Sequence, residues 1–88
     1  MAIQGSYTFY GAVVPSAIAV ADSVIVQSTN EMPIRLYIYA DATQRELGTS
    51  LALEARTATY DPAGASVWAQ AQTYLLSLPE FSGWTAIP

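Results

Sequence analysis

Pro33-Ile34-Arg35-Leu36-Tyr37-Ile38-Tyr39-Ala40 decides the fold. Ile34, Leu36 and Ile38 alternate with Arg35, Tyr37 and Tyr39. Successive side chains of a strand point to opposite faces, so this strict period of two predicts a β-strand over residues 33–40. One face is aliphatic and the other aromatic, which gives both faces a reason to be covered. Beyond it, Asp41 to Gly48 is polar and turns the chain. A further strand is predicted over about 50–60, with Leu51, Leu53 and Ala55 on one face and Ala52, Glu54, Arg56 and Tyr60 on the other.

On the N-terminal side, Thr29-Asn30-Glu31-Met32-Pro33 reads as a loop. Before it a strand is predicted over about 17–28, with Ile18 and Val20 on one face. Its parity shifts at Asp22-Ser23, where a bulge or bend is expected. The first strand, over about 6–14, is rich in aromatic and β-branched residues and ends at Pro15-Ser16. After the last strand Asp61-Pro62 is a favoured helix start, weakened by Gly64, so Ser66 competes as the cap. Val67, Ala71, Tyr74, Leu75 and Leu78 form one apolar stripe of a helix over about 62–78. Pro79 stops it, because the residue before a proline is pushed out of the α region. Phe81, Trp84 and Ile87 follow in a short aromatic tail, residues 79–88, that packs back on the domain. Consecutive strands with short connections pair antiparallel. The expected class is therefore α+β: one domain, residues 1–88, built as a four-stranded antiparallel meander with one C-terminal helix on one face (β-β-β-β-α). A single helix leaves the opposite face, the tyrosine face, to water or to a partner.

Composition bounds the function. The 88 residues contain no cysteine and no histidine, so disulfides and the common zinc ligand sets are excluded. Only 11% of residues are charged, against about 25% in an average soluble domain. All positive charge comes from Arg35, Arg45 and Arg56, since lysine is absent. A surface so poor in charge suits a protein partly covered by neighbours, because interface cores are depleted of charged residues. A Ser/Thr/Gln-rich surface is the alternative. The net charge of −4 argues against nucleic acid and against an anionic membrane. No apolar stretch approaches the roughly 20 residues of a membrane span. Ala19-Val20-Ala21 has the look of a signal-peptidase site. No positive residue precedes it, and Gln4, Ser6, Thr8, Pro15 and Ser16 interrupt the apolar region, so it reads as strand and implies intracellular production.

Catalytic chemistry has few residues to use. Without His, Cys or Lys the commonest bases, nucleophiles and Schiff-base formers are missing. The five glycines are scattered as turns and make no phosphate loop. Asp22, Asp41, Glu46 and Asp61 fall in turns or at a cap, where backbone hydrogen bonding accounts for them. A calcium loop from Asp41 to Glu54 fails, with Arg45 and Glu46 at its fifth and sixth positions and Ala52 at its twelfth. No catalytic residue, cofactor, metal or small-molecule substrate is therefore expected. Glu54 and Arg56, two apart on one strand face, are placed beside Arg35, Tyr37 and Tyr39 as an interface; charge pairing on a solvated sheet is the other reading. Trp68 is expected to pack at the helix flank. Trp84 reads either as a clamp on its own domain or as an anchor into a neighbour.

The run Val67-Trp68-Ala69-Gln70-Ala71-Gln72-Thr73-Tyr74-Leu75-Leu76-Ser77-Leu78-Pro79-Glu80-Phe81 resembles short tailed-bacteriophage proteins. Those end in a helix of the form Gln-Ala-Tyr-x-Tyr-Leu-Lys-Thr-Leu-Pro-Glu-Phe. The strand from Ala17 to Val26 and the Tyr-containing strand are similar to the same group. The chain departs from it at Gln72, where relatives carry tyrosine, and at Leu76-Ser77, where they carry Lys-Thr. The resemblance implies a virion-associated structural or accessory protein and transfers no catalytic residue. The expected function is a non-catalytic phage structural or assembly protein: a capsid decoration, connector, tail or baseplate component. Its expected partners are other virion chains and itself. The expected interface is Arg35, Tyr37, Tyr39, Glu54, Arg56, Phe81 and Trp84. A phage-encoded inhibitor or regulator of a host protein is the alternative, and abundance in purified particles separates the two.

Overall fold

The protein is described here as a computed structural model covering residues 2–88. Its strands are β1 (Ala2–Phe9), β2 (Ala12–Val24), β3 (Glu31–Tyr39), β4 (Ala52–Thr59) and β5 (Thr85–Ile87). Helices α1 (Ala42–Leu47) and α2 (Val67–Ser77) and a 3₁₀ turn (Pro79–Phe81) complete it. All neighbouring strands are antiparallel, in the order β4-β3-β2-β1-β5. The class is α+β, an antiparallel sheet with a helix packed on it. It differs in detail from the expected four-strand, one-helix arrangement, having a fifth strand and a second short helix.

Each difference has a local cause. The expected first strand, residues 6–14, straddles a hairpin: Tyr10 (φ 48°) and Gly11 (φ 80°) form its two-residue loop, both left-handed. Two consecutive positive φ angles match the right-handed twist of the flanking strands. The segment 41–48 is a helix, not a simple turn. The Asp41 side chain accepts from the Gln44 N–H at 2.9 Å, and Gly48 (φ 74°) ends the helix in the left-handed region. Helix α2 starts at Ser66, whose Oγ accepts from the Ala69 N–H at 3.3 Å. Asp61 instead turns the chain, accepting from the N–H groups of Ala63 and Gly64. The bulge expected at Asp22-Ser23 is present, as a register shift between Ala21 and Ser23.

The core lies between one sheet face and α2. Ile3, Ala17, Ala19, Ala21, Ile34, Leu36 and Ile38 come from the sheet; Ala71, Leu75, Phe81 and Trp84 meet them. The small side chains of Ala17, Ala19 and Ala21 let α2 approach β1 and β2 closely. Trp84 fixes the tail. Its indole N–H donates to the Ser6 carbonyl at 3.2 Å, and its ring meets Phe81 edge-on with centroids 4.9 Å apart. The ring occupies the space over Gly5, where a Cβ would have no room. This placement delivers Thr85–Ile87 alongside β1, which is why a tail becomes a strand.

Candidate functional site

Cross-strand register decides which side chains share a face. In the β3–β4 ladder Ile34 faces Arg56, Leu36 faces Glu54, Tyr37 faces Leu53 and Arg35 faces Ala55. Directly opposed residues lie on the same side of the sheet. The expected five-residue face is therefore divided: Arg35, Tyr37 and Tyr39 are on the outer face, whereas Glu54 and Arg56 are on the core face with the aliphatic residues. Leu53 and Ala55, expected inside, are outside. A helix-face charge is tolerated on β4 because it lies at the border of the sheet, where the chain supplies polar partners.

Those partners form a connected set. The Tyr7 hydroxyl donates to Glu54 Oε2 at 2.9 Å, and Arg56 Nη2 donates to Glu54 Oε1 at 3.2 Å. Arg56 Nε donates to Glu80 Oε1 at 2.8 Å, and its guanidinium lies 5.9 Å from the Phe81 ring centroid. Burial, then the bonded Glu54 carboxylate, raises the Tyr7 pKa above the ordinary phenol range. Burial works against the charge on Arg56, but its bonds to Glu80 and Glu54 outweigh that and raise its pKa. Its own backbone N–H, followed by the bond from Arg56, lowers the Glu80 pKa. Every member has its partner within the chain, so the set seals the edge of the core above Phe81. Phe81 (1% exposed) and Trp84 (7%) are core residues and present almost no side-chain surface to a neighbour; of the two readings of Trp84, the structure has the clamp.

The outer face is where side chains remain available. Tyr37 and Tyr39 stack at a tilt, centroids 6.5 Å apart, both half-buried. Leu53 beside them is 56% exposed. Arg35 borders this apolar centre and forms an ion pair with Asp22 at the β2 bulge, its Nε donating to Asp22 Oδ2 at 3.0 Å. The hydrogen bond and the charge of Asp22 raise the Arg35 pKa. The far end of the same face is partly closed by the chain itself. Ala2 (0%) and Ile18 (2%) are buried on the side away from α2. Helix α1 contacts β2 and β3, and Arg45 Nη1 donates to the Pro88 carbonyl at 2.8 Å. Together these place α1 across the outer face at that end. The aromatic patch left open is thus smaller than a whole sheet face and lies toward β4. Leu53 and Asp22 were not expected in it; the pairing of Leu53 with Tyr37 is a tertiary fact that periodicity alone does not carry.

A groove of about 360 Å³ beside α2 is lined by Thr59, Ala65, Ala69, Gln70, Thr73 and Tyr74, without a charged group. The Gln70 amide there is occupied, bonding Asp61 N–H, Asp61 C=O and Ala65 C=O. Among the described residues no three His, Cys, Asp or Glu side chains gather where a metal would bind. No helix of the described residues is long and apolar enough to cross a membrane. No protein-family model, no curated protein and no solved structure matches this chain.

Proposed function

We propose that this chain is a non-catalytic structural or assembly protein of a tailed-bacteriophage particle, acting through protein–protein contacts with other virion chains and with copies of itself. The contact surface is the outer face of β3 and β4: Tyr37, Tyr39 and Leu53 at its centre, Arg35 and Asp22 at its rim. The observation that carries the reading is Leu53, 56% exposed beside a stacked tyrosine pair on a chain with only 11% charged residues. Rigid aromatic groups supply contact area at low entropic cost, and a rim charge pair sets orientation. The virion assignment is supported by the Leu78-Pro79-Glu80-Phe81 run described above. In this fold that run ends α2 and delivers Phe81 into the core, so its role is to build the scaffold, while the outer face makes the contact.

The test is incorporation. Particles of the encoding phage, purified by density gradient, are expected to contain the chain in many copies. Tyr39→Glu and Leu53→Arg variants, folded by circular dichroism, are expected to be lost from them. Absence of the wild-type chain from particles overturns the structural reading in favour of the host-directed inhibitor. Full incorporation of both variants overturns the surface.

A further inference from the structure

We propose that the open edge of β4 is a self-pairing surface, at which two copies of this chain join their β4 strands antiparallel about a two-fold axis at Ala55. The inference deepens the self-association part of the reading above, on which it rests only in taking a second copy as the partner, and it uses a different surface.

The sheet order leaves β4 bordered by β3 alone. Backbone direction along β4 follows from two hydrogen bonds at its ends. The Tyr60 N–H donates to the Asn30 carbonyl at 2.7 Å, and that of Leu51 to the Ile38 carbonyl at 2.7 Å. The even-numbered residues of β3 thus turn their polar groups toward β4. In the observed register their partners are Ala52, Glu54, Arg56 and Ala58. Antiparallel ladders alternate in direction, so Leu53, Ala55, Thr57 and Thr59 aim their N–H and C=O groups away from the sheet. Natural edges are usually blunted by proline, charged side chains, inward-pointing charges, a bulge, shortness or a covering segment. Over its eight residues β4 has no proline, no lysine and an unbroken register with β3. Its guards are the inward-turned charges of Glu54 and Arg56, and Arg56 Nη1 also donates to the Ala55 carbonyl at 2.8 Å. That oxygen has a second lone pair for an N–H from a second copy.

Charge selects the register. With the axis at Ala55, the narrow hydrogen-bonded pairs join Ala55 to itself and Leu53 to the second copy's Thr57. The wide pairs set Glu54 against the second copy's Arg56, and the reverse. Side chains are closest across wide pairs, so both oppositely charged pairs fall where they act most strongly. Moving the axis one residue puts Glu54 opposite Glu54 or Arg56 opposite Arg56, which is unfavourable. Moving it two residues leaves both charges facing uncharged positions. The copies would then share one ten-stranded sheet, with their outer faces continuous and the two Leu53 side chains on the same side.

The chain has no cysteine, which permits a clean cross-linking test on full-length protein. Ala55 is exposed, so Ala55→Cys leaves the fold intact. Across a narrow pair the two Cα atoms lie about 5.5 Å apart, within the disulfide range of about 4.4–6.8 Å. The two Leu53 positions would be offset by four residues, about 13 Å along the strands. Under mild oxidation Ala55→Cys is expected to form covalent dimer at least about tenfold faster than Leu53→Cys alone, as disulfide geometry demands. An equimolar mixture of Leu53→Cys and Thr57→Cys chains, one carrying a size tag, is expected to give the mixed dimer. Equal rates for Ala55→Cys and Leu53→Cys, or no mixed dimer, overturn the proposal. Adding Tyr39→Glu to Ala55→Cys separates the two surfaces: cross-linking is expected to persist while incorporation into particles is lost, and loss of cross-linking in that folded variant overturns the edge assignment.

Discussion

Gly5→Ala is a single methyl that the structure has no room for. A Cβ on Gly5 would lie no more than 2.6 Å from Cγ, Cδ1 and Cδ2 of Trp84, against the about 3.5–4.0 Å of comfortable carbon contact. The indole has nowhere to retreat, because its N–H is bonded to Ser6 and its edge meets Phe81, which is itself buried. Gly5 is not in the left-handed region, so backbone strain does not enter. Loss of glycine flexibility in the unfolded chain would by itself stabilise by about 0.4–1 kcal/mol. Overpacking a tight site costs about 1–3 kcal/mol, and an overlap of about 1 Å on three ring atoms belongs at the upper end. The net expectation is a loss of about 2 kcal/mol. With a urea m-value of about 1 kcal/mol/M for a small protein, the midpoint falls by about 2 M. Trp84→Ala removes Cγ, Cδ1 and Cδ2, so in that background Gly5→Ala is expected to be neutral or slightly stabilising. Urea titration of the four chains, followed by far-ultraviolet circular dichroism, completes the cycle. A midpoint for Gly5→Ala within about 0.3 M of the parent, or an equal loss in both backgrounds, would refute the argument.

Two further outcomes follow from polar contacts. Gln70→Ala removes three hydrogen bonds that tie Asp61 and Ala65 to α2. At about 1 kcal/mol net for one bond and less for exposed ones, a loss of about 1.5–2 kcal/mol is expected in the same titration. Glu80 has a lowered pKa, from its own backbone N–H and then from Arg56. Its ionised form therefore stabilises the fold above the unfolded carboxylate range, near pH 4.3. That contribution is lost as pH falls through the lower folded value. Thermal melts between pH 6 and 3 are expected to show a smaller acid decline for Glu80→Gln than for the parent.

The sequence was most legible where one face is strictly apolar. Ile34, Leu36 and Ile38 alternate without exception, and β3 lies within two residues of its expected span. The Asp22-Ser23 bulge was equally readable, since parity breaks there. Strand β4 misled because Leu51, Leu53 and Ala55 carry the stronger apolar signal, yet register with β3 sends Leu53 outward. Glu54 and Arg56 turn inward because Tyr7 and Glu80, 47 and 24 residues away, meet them there. Sequence spacing on one strand cannot express contacts of that range. The β1–β2 hairpin was hidden by its turn, since Tyr10 holds a left-handed conformation usually signalled by Asn or Gly. Strand β5 owes its existence to the Trp84 ring over Gly5, a fit visible only once both are in place. At the candidate surface, Arg35, Tyr37 and Tyr39 were recoverable from alternation; Leu53 and Asp22 needed the register.

The pairing of Ala2 with Ile87, and the bond from Trp84 to Ser6 across 78 residues, also set a timetable for synthesis. Strands β1 to β4 can zip in the order in which they leave the ribosome. The far side of β1 must wait for nearly all the described chain. At about 5–20 residues per second that interval is roughly 4–16 s. Throughout it Gly5 lacks its indole cover and the hydrogen-bonding groups of β1 that later pair with β5 face water. Closure of the β1 edge is thus the last pairing among the described strands, and until it happens the sheet carries two long open edges where afterwards it keeps one.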